Sequence, residues 1–255
     1  MTTALVTGAS SGIGAELARL LARHGHSLVL VARDRARLQR LADELGRQHG
    51  IDVLVLPHDL SRPDAPEAIV RELAERSLEA DILINNAGMI VYGTFWETDW
   101  EDERRMLWVN LMALTRLTKL ILPGMKARGR GRILNVGSVG SFVASPRNAV
   151  YSATKAYLLS LSEAIAEELR GSGVTVTAVC PGAVRSELQE RAGMTHVRLL
   201  RSGVLEASTV AEYAYRAMMA GKSLAIPDVR TRIQVFLVRF LPRAWAVRMA
   251  GRMLE

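Results

Sequence analysis

The chain has 255 residues, 49% of them hydrophobic, and a formal net charge of +7. That length suits one large α/β domain. The lone cysteine, Cys180, excludes an intrachain disulfide and suits a reducing, cytoplasmic setting. The five histidines (His24, His26, His49, His58, His196) show no metal-ligand spacing, so no metal site is expected. The basic excess comes with no nucleic-acid reading motif, so nucleic acid is not an expected partner. The N-terminus runs straight into a strand-like segment without a basic leader, and no window reaches the roughly 18 apolar residues of a membrane span.

Apolar, β-rich runs alternate with helix-period segments from end to end. Strands are expected at residues 4–7, 27–32, 52–57, 81–84, 131–136, 174–179 and 223–226. They are apolar throughout instead of alternating, the mark of a parallel sheet buried on both faces. Helices are expected at 12–24, 34–48, 64–76, 99–127, 151–170 and 208–220. This order predicts a single doubly wound Rossmann domain over residues 1–228, with a seven-stranded parallel sheet and helices on both faces. Ligands of such sheets bind beyond the carboxyl ends of the strands, and the motifs below fall there.

The first strand ends in Thr7-Gly8-Ala9-Ser10-Ser11-Gly12-Ile13-Gly14, and a helix follows. Glycines let backbone amides approach a phosphate, and a helix N-terminus favours an anion. The spacing G-x-x-x-G-x-G differs from the general dinucleotide fingerprint, and a simple tight turn is the alternative. The second strand ends at Ala32-Arg33-Asp34. An NAD site places an acid at this strand end, whereas an arginine accommodates a 2′-phosphate. Arg33 therefore points to NADP, provided that Asp34 is the N-cap of the next helix and not the ribose acid. Asp59 follows the third strand and could bind an adenine amino group. Asn85-Asn86-Ala87-Gly88 follows the fourth. Either could be turn chemistry alone.

Tyr151 and Lys155 are four apart on an expected helix and so share a face. A positive charge about 4 Å from a phenol is worth up to ~4 kcal/mol at an effective dielectric of ~20, enough to lower the phenol's pKa from ~10 toward the general acid–base range. Of the five tyrosines, only Tyr151 has lysine at i+4. Ser138 ends the fifth strand, where it could hold a substrate oxygen or merely cap a turn. Asn110 sits mid-helix among apolar residues and needs buried partners. A water bridging to Lys155 would be one.

These residues together resemble the short-chain dehydrogenase/reductase family over about residues 3–226. The resemblance rests on TGASSGIG (7–14), HDL (58–60), NNAG (85–88), VN (109–110), Ser138, YSATK (151–155) and PGAV (181–184). It implies nicotinamide-dependent hydride transfer with Asn110, Ser138, Tyr151 and Lys155 as the catalytic tetrad. It also implies a cofactor site formed by Gly8, Ser10, Ser11, Gly12, Ile13, Gly14, Arg33, Asp59, Leu60, Asn85, Ala87, Gly88, Tyr151, Lys155, Pro181, Gly182, Val184 and Ser186. Residues 185–207 read as a substrate lid. Met89, Val91, Phe142, Val143, Pro146, Met194, Val197 and Leu199 suggest a hydrophobic carbonyl or alcohol substrate.

The C-terminus departs from the family's usual short tail, which puts its usual tetramer in doubt and leaves a dimer as the favoured oligomer. Residues 229–255 read as a basic amphipathic helical extension. From Arg230 onward six arginines face one acid, a local charge of +5. Arg232, Arg239 and Arg243 would lie near one helix face, with Pro242 ending that helix or starting another. Such a tail either lies peripherally on an anionic membrane surface or packs on the domain or a second subunit. The expected activity is an NADP(H)-dependent ketone/secondary-alcohol oxidoreductase. The rival readings are an NADP-binding sensor or a membrane-surface scaffold without turnover.

Overall fold

Strands of continuous apolar composition need cover on both faces, and this chain supplies it with two sets of helices. The computed structural model describes residues 2–185, 187–194, 196–198 and 203–254. Its elements in chain order begin β1 Thr3–Thr7, α1 Gly12–Arg23, β2 Ser27–Ala32, α2 Arg35–His49, β3 Val53–Pro57, α3 Ala65–Glu75 and β4 Ile82–Asn85. Next come α4 Trp100–Leu107, a π-helical stretch Trp108–Ala113, α5 Leu114–Ala127, β5 Gly131–Val136 and a 3-10 turn Val139–Ser141. The last part holds α6 Ala149–Glu168, β6 Val174–Val179, α7 Glu187–Arg191, α8 Ala207–Met219, β7 Leu224–Ala225, α9 Val229–Val238 and α10 Arg243–Met253.

The seven strands form one sheet in the order β3-β2-β1-β4-β5-β6-β7, every pairing parallel. Successive side chains of a strand point to opposite faces. On β1, Ala4 and Val6 therefore join Leu17, Leu21, Leu38 and Met218 under α1, α2 and α8. Leu5 points the other way, to Ile69, Leu73, Leu117 and Ile121 of α3 and α5. The order reverses between β1 and β4, so the chain leaves those two strands in opposite directions and a crevice opens beyond their carboxyl ends.

The sequence-expected strands match to within a residue or two. The helix expected over 99–127 is a continuous helical run broken in its hydrogen-bond pattern by the π stretch that contains Asn110. The tail is two helices, with the break at Pro242 that the sequence expects. The chain turns between Val238 and Arg243, around Pro242, so Arg243 belongs to a different helix from Arg232. Arg232 moreover faces the domain, with its Nε donating to the Ile226 carbonyl at 2.8 Å and its guanidinium bonded to the Tyr213 hydroxyl. Among the described residues, no helix is long and apolar enough to cross a membrane.

Candidate functional site

The crevice is floored by the glycine-rich turn between β1 and α1. Gly8 and Gly12 take φ of +66° and +56°, a region that favours glycine. Gly14 is required by close approach: a Cβ there would stand 2.3 Å from the Gly8 carbonyl oxygen and 2.4 Å from Asn86 Nδ2. The turn is tied to the next strand by Thr7 and Asn86. Thr7 Oγ1 donates to the Ile84 carbonyl and accepts from the amides of Asn86 and Ala87 at 3.0 and 3.1 Å. Asn86 Nδ2 donates to the Thr7 and Gly8 carbonyls. At the N-terminus of α1, Ser11 makes no side-chain cap, so the first helical amides are left for an anion such as a pyrophosphate. The donor set fits a dinucleotide.

Gly8, Ser10, Ser11, Gly12, Ile13, Arg33, Asp59, Leu60, Ala87, Gly88, Ser138, Tyr151, Lys155, Pro181, Gly182 and Val184 all line this one cleft. Ser186 and Leu199 lie outside the described residues. Gly14, Asn85 and Asn110 stand one layer behind the wall. Asn85 Nδ2 donates to Thr118 Oγ1 and Asn135 Oδ1, at 3.1 and 2.9 Å, and Asn135 in turn donates to Ser162. This buried chain joins β4, β5, α5 and α6. Asp34 caps α2 by accepting from the Arg37 amide at 2.9 Å, as its position after the strand predicts. Asp59 Oδ1 accepts from the Ser61 amide at 2.9 Å, a turn bond.

Tyr151 and Lys155 lie one helical turn apart near the start of α6, and Ser138 faces them from the N-cap of the 3-10 turn. Lys155 is buried and donates from Nζ to the Val136 carbonyl at 2.8 Å. Its Nζ is 5.7 Å from the Tyr151 ring centroid. Burial pushes the Tyr151 phenol up to about 12, against a hydrogen bond with Ser138 that pulls it down. Burial lowers Lys155 to about 8. The simple expectation that Lys155 depresses Tyr151 is not met in the bare protein: burial dominates both groups, and what pulls the phenol down is the hydrogen bond with Ser138. Cys180 lies beneath Gly137, and burial raises its thiol to about 11, leaving it inert.

Asn110 does what a polar residue in a helix interior must. Its Oδ1 accepts from the Met89 amide at 2.9 Å, and its Nδ2 donates to the Met89 carbonyl at 3.0 Å and to Thr154 Oγ1 at 3.1 Å. Thr154 Oγ1 also donates to the Tyr151 carbonyl at 2.7 Å. The π stretch turns Asn110 toward these partners, so it couples the loop after β4 to the helix that bears Tyr151 and Lys155.

The far side of the cleft is closed by parts of the chain that lie late in the sequence. Leu205 bridges Ala183 and Arg185 through backbone hydrogen bonds of 2.9 Å. A Cβ on Gly182 would stand 2.7 Å from Thr231 Oγ1, so α9 presses on the loop after β6. Met194, Val197 and Leu254 form a buried apolar cluster with Ile90 and Tyr92 packed on it, and the Tyr92 hydroxyl donates to the Leu254 carbonyl. The end of the tail thus packs, through Leu254, against the segment that carries Ile90, itself a lining residue of the cleft. Phe142, expected near substrate, packs instead with Leu159, Ala178 and Cys180.

Sequence reasoning missed Thr7 as a brace of the glycine turn, and Arg37 and Glu187 as lining residues; Asn86, from the Asn-Asn-Ala-Gly run, satisfies loop backbone groups as an asparagine there should. Thr7 opens the quoted TGASSGIG run, and a threonine at a strand end beside a glycine turn was the available signal. Nothing in the sequence pairs Arg37 with Glu187.

Residues 2–196 match the family model described as short chain dehydrogenase. The oxidoreductase UcpA of Escherichia coli is 39% identical over 190 residues, covering 74% of this chain and 71% of that protein. Among solved structures, a short-chain dehydrogenase from Sphingobium yanoikuyae in complex with NADPH is 38% identical with a TM-score of 0.86, covering 94% of this chain and 93% of the other. The bulky-bulky ketone specific alcohol dehydrogenase from Comamonas testosteroni is 32% identical with a TM-score of 0.80, covering 94% and 92%.

Proposed function

The chain belongs to the short chain dehydrogenase family of oxidoreductases, and from that premise we propose that it interconverts a hydrophobic ketone and its secondary alcohol using NADP(H). The observation that carries the reading is the convergence of Tyr151, Ser138 and Lys155 on one cleft with the glycine turn and the loop of Pro181 and Gly182.

Bound nicotinamide supplies or accepts the hydride; the residues handle the proton. Tyr151 donates its phenolic proton to the carbonyl oxygen of a ketone, and Ser138 holds that oxygen in place. Lys155 is the neighbouring cation for the phenolate that results. Asn110 acts through its partners as a positioning residue.

Three features support NADP(H) over NAD(H). Ala32 puts no carboxylate at the end of β2, Arg33 lines the cleft, and Asp34 is engaged as a helix cap. The NADPH complex of the Sphingobium relative agrees with this. The apolar lining residues Met89, Ile90 and Leu188 support a hydrophobic substrate, as does the bulky ketone named for the Comamonas relative. Oxidation of NADPH and of NADH by the purified protein, against fatty-acyl, steroid and quinone-type ketones and small polar ones, tests the reading. Turnover of the bulky apolar ketones with NADPH preferred is expected; no turnover, or a preference for small polar ketones, overturns it.

A second reading concerns the outer side of the tail. Seven of the thirteen exposed large hydrophobic side chains among the described residues lie here: Val229, Ile233, Phe236, Leu237, Phe240, Trp245 and Met249. Arg239, Arg243, Arg248 and Arg252 are exposed among them. Apolar side chains interspersed with arginines suit the interface of an anionic bilayer. Sedimentation with anionic vesicles, lost at high salt and on deletion of 229–255, is the expected result. A folded protein that ignores them leaves this side to a second copy of the chain.

A further inference from the structure

The rim of the cleft holds an ion pair that the proposed chemistry does not use. Arg37, one turn into α2, donates from one guanidinium nitrogen to both carboxylate oxygens of Glu187, at 2.8 Å each. Glu187 opens α7, the short helix that follows the loop of Pro181 and Gly182, and lies 150 positions further along the chain. Both residues line the cleft beside Ala32, Arg33 and Asp34. This is the end of β2, where a cofactor's adenosine ribose belongs.

We propose that Arg37 is a second selector of NADP(H), and that Glu187 is the internal anion it gives up to the cofactor's 2′-phosphate. The exchange releases α7 from α2. The inference rests on the NADP(H) reading above and adds to it a residue and a coupling.

Three observations carry it. First, the carboxylate occupies an arginine at the position where a 2′-phosphate would need one. A phosphomonoester brings nearly two negative charges and three acceptor oxygens against one charge and two oxygens, so it wins the guanidinium. Second, the pair is accessible: the two side chains are 38% and 39% exposed. Exposed ion pairs are weak and therefore exchangeable. Third, Glu187 has somewhere to go. Arg191, one turn on, already donates to Glu187 Oε2 at 2.6 Å, so Glu187 is not stranded when Arg37 leaves. No residue of α7 is fully buried, and the Arg37–Glu187 pair ties it to α2 at the surface. Arg37 itself keeps a partner in Asp34, 3.4 Å away.

The alternative is a clasp that shuts over the cofactor with the ion pair intact. The two schemes differ in sign. If Glu187 competes with the phosphate, Glu187→Gln tightens NADPH binding and leaves NADH unchanged; if it is a clasp, the same variant weakens both. Fluorescence titration of NADPH and NADH, without substrate, is the readout. Exchange predicts about three- to tenfold tighter NADPH binding for Glu187→Gln, and about tenfold or more weaker NADPH binding for Arg37→Ala with NADH nearly unchanged. In the Arg37→Ala background, Glu187→Gln then has no further effect. Hydrogen exchange at residues 187–191 rises with NADPH and not with NADH. Arg37→Lys, which keeps the charge, controls for the fold of α2 and retains part of the preference. Equal weakening of both cofactors by Glu187→Gln overturns the exchange. So does a Glu187→Gln variant with unchanged affinities in a protein whose NADPH preference disappears with Arg33→Ala, and that result leaves the NADP(H) reading standing. A wild-type protein that prefers NADH overturns both.

Discussion

The cleft has a floor and a cover, and they are built by different physics. The floor comes from the ends of β1, β4 and β5 and the start of α6. Its parts are held by buried backbone and amide bonds: Thr7 and Asn86 on the glycine turn, Asn85 and Asn135 between strands, Asn110 across to Thr154. The cover comes from α7, the segment around Met194 and Val197, and the two tail helices. It is held by one small apolar cluster, surface ion pairs and the contact of Tyr92 with Leu254. Buried polar networks admit one arrangement, whereas exposed pairs and thin apolar contacts admit several. The floor is therefore suited to hold a cofactor and a proton donor in place, and the cover to adapt to a substrate.

If that division is right, substitutions in the floor cost chemistry and cofactor, and substitutions in the cover cost substrate affinity. The largest effect belongs to Tyr151→Phe. Loss of the proton donor lowers kcat by about a hundredfold or more, with NADPH affinity nearly intact by titration. Retention of more than about a tenth of wild-type kcat on a good substrate, well short of the hundredfold that a general acid supplies, removes Tyr151 from its role. Gly14→Ala comes next. Its Cβ has no room against the Gly8 carbonyl, so the turn must open, and NADPH binding drops beyond measurement while the far side of the sheet stays folded. A Gly14→Ala protein that still binds NADPH would show the floor to be looser than described.

Arg33→Ala tests the cofactor end of the floor. A charge-assisted phosphate contact is worth about 1.5–3 kcal/mol, so NADPH binding weakens ten- to hundredfold and NADH binding little; equal losses for the two exclude Arg33 as a selector. In the cover, Leu254→Ala loosens the cluster with Met194 and Val197. It raises KM for a bulky ketone by about tenfold and leaves cofactor affinity alone. A fall in kcat with KM unchanged would mean that the cover reaches into the floor.

The smallest effect is a pH dependence of stability. Lys155 is lowered in the folded protein, to about 8. Above that pH the unfolded chain binds more protons at this site than the folded one, so stability rises as pH increases through 8. Cys180 and Tyr151 are raised, to about 11 and about 12. Their folded forms retain protons that the unfolded chain sheds from its ordinary pKa upward, which opposes the rise above pH ~9. Denaturant unfolding of the cofactor-free protein should show a modest gain between pH ~8 and ~9, absent in Lys155→Met. The same slope in that variant assigns the gain elsewhere.

The same division separates what the sequence disclosed from what it hid. The floor is local: a glycine turn after a strand, an Asn-Asn-Ala-Gly run after another and a tyrosine one helical turn from a lysine are each read from a few adjacent residues. Asp34 as a helix cap follows from its position alone. The cover depends on contacts between distant parts of the chain. Tyr92 and Leu254 are 162 positions apart, and Arg37 and Glu187 are 150 apart, and no periodicity predicts such pairs. The tail's arginines illustrate the limit. Pro242 marked the break between the two tail helices, which places Arg243 apart from Arg232, while the bond of Arg232 to Tyr213 could not be read from spacing. Asn110 lies between these cases: its oddity in an apolar helix was visible, while its partners Met89 and Thr154 were not.

On the proposed reading the floor would hold a nicotinamide cofactor that supplies hydride to a carbonyl carbon, while Tyr151 protonates the oxygen. The most direct test uses NADPH deuterated at the nicotinamide carbon that gives up the hydride, with a bulky apolar ketone and the purified protein. The expected product is a secondary alcohol of one configuration with deuterium on the carbinol carbon, and almost none from Tyr151→Phe. Alcohol without the label, or equal labelled product from Tyr151→Phe, contradicts it.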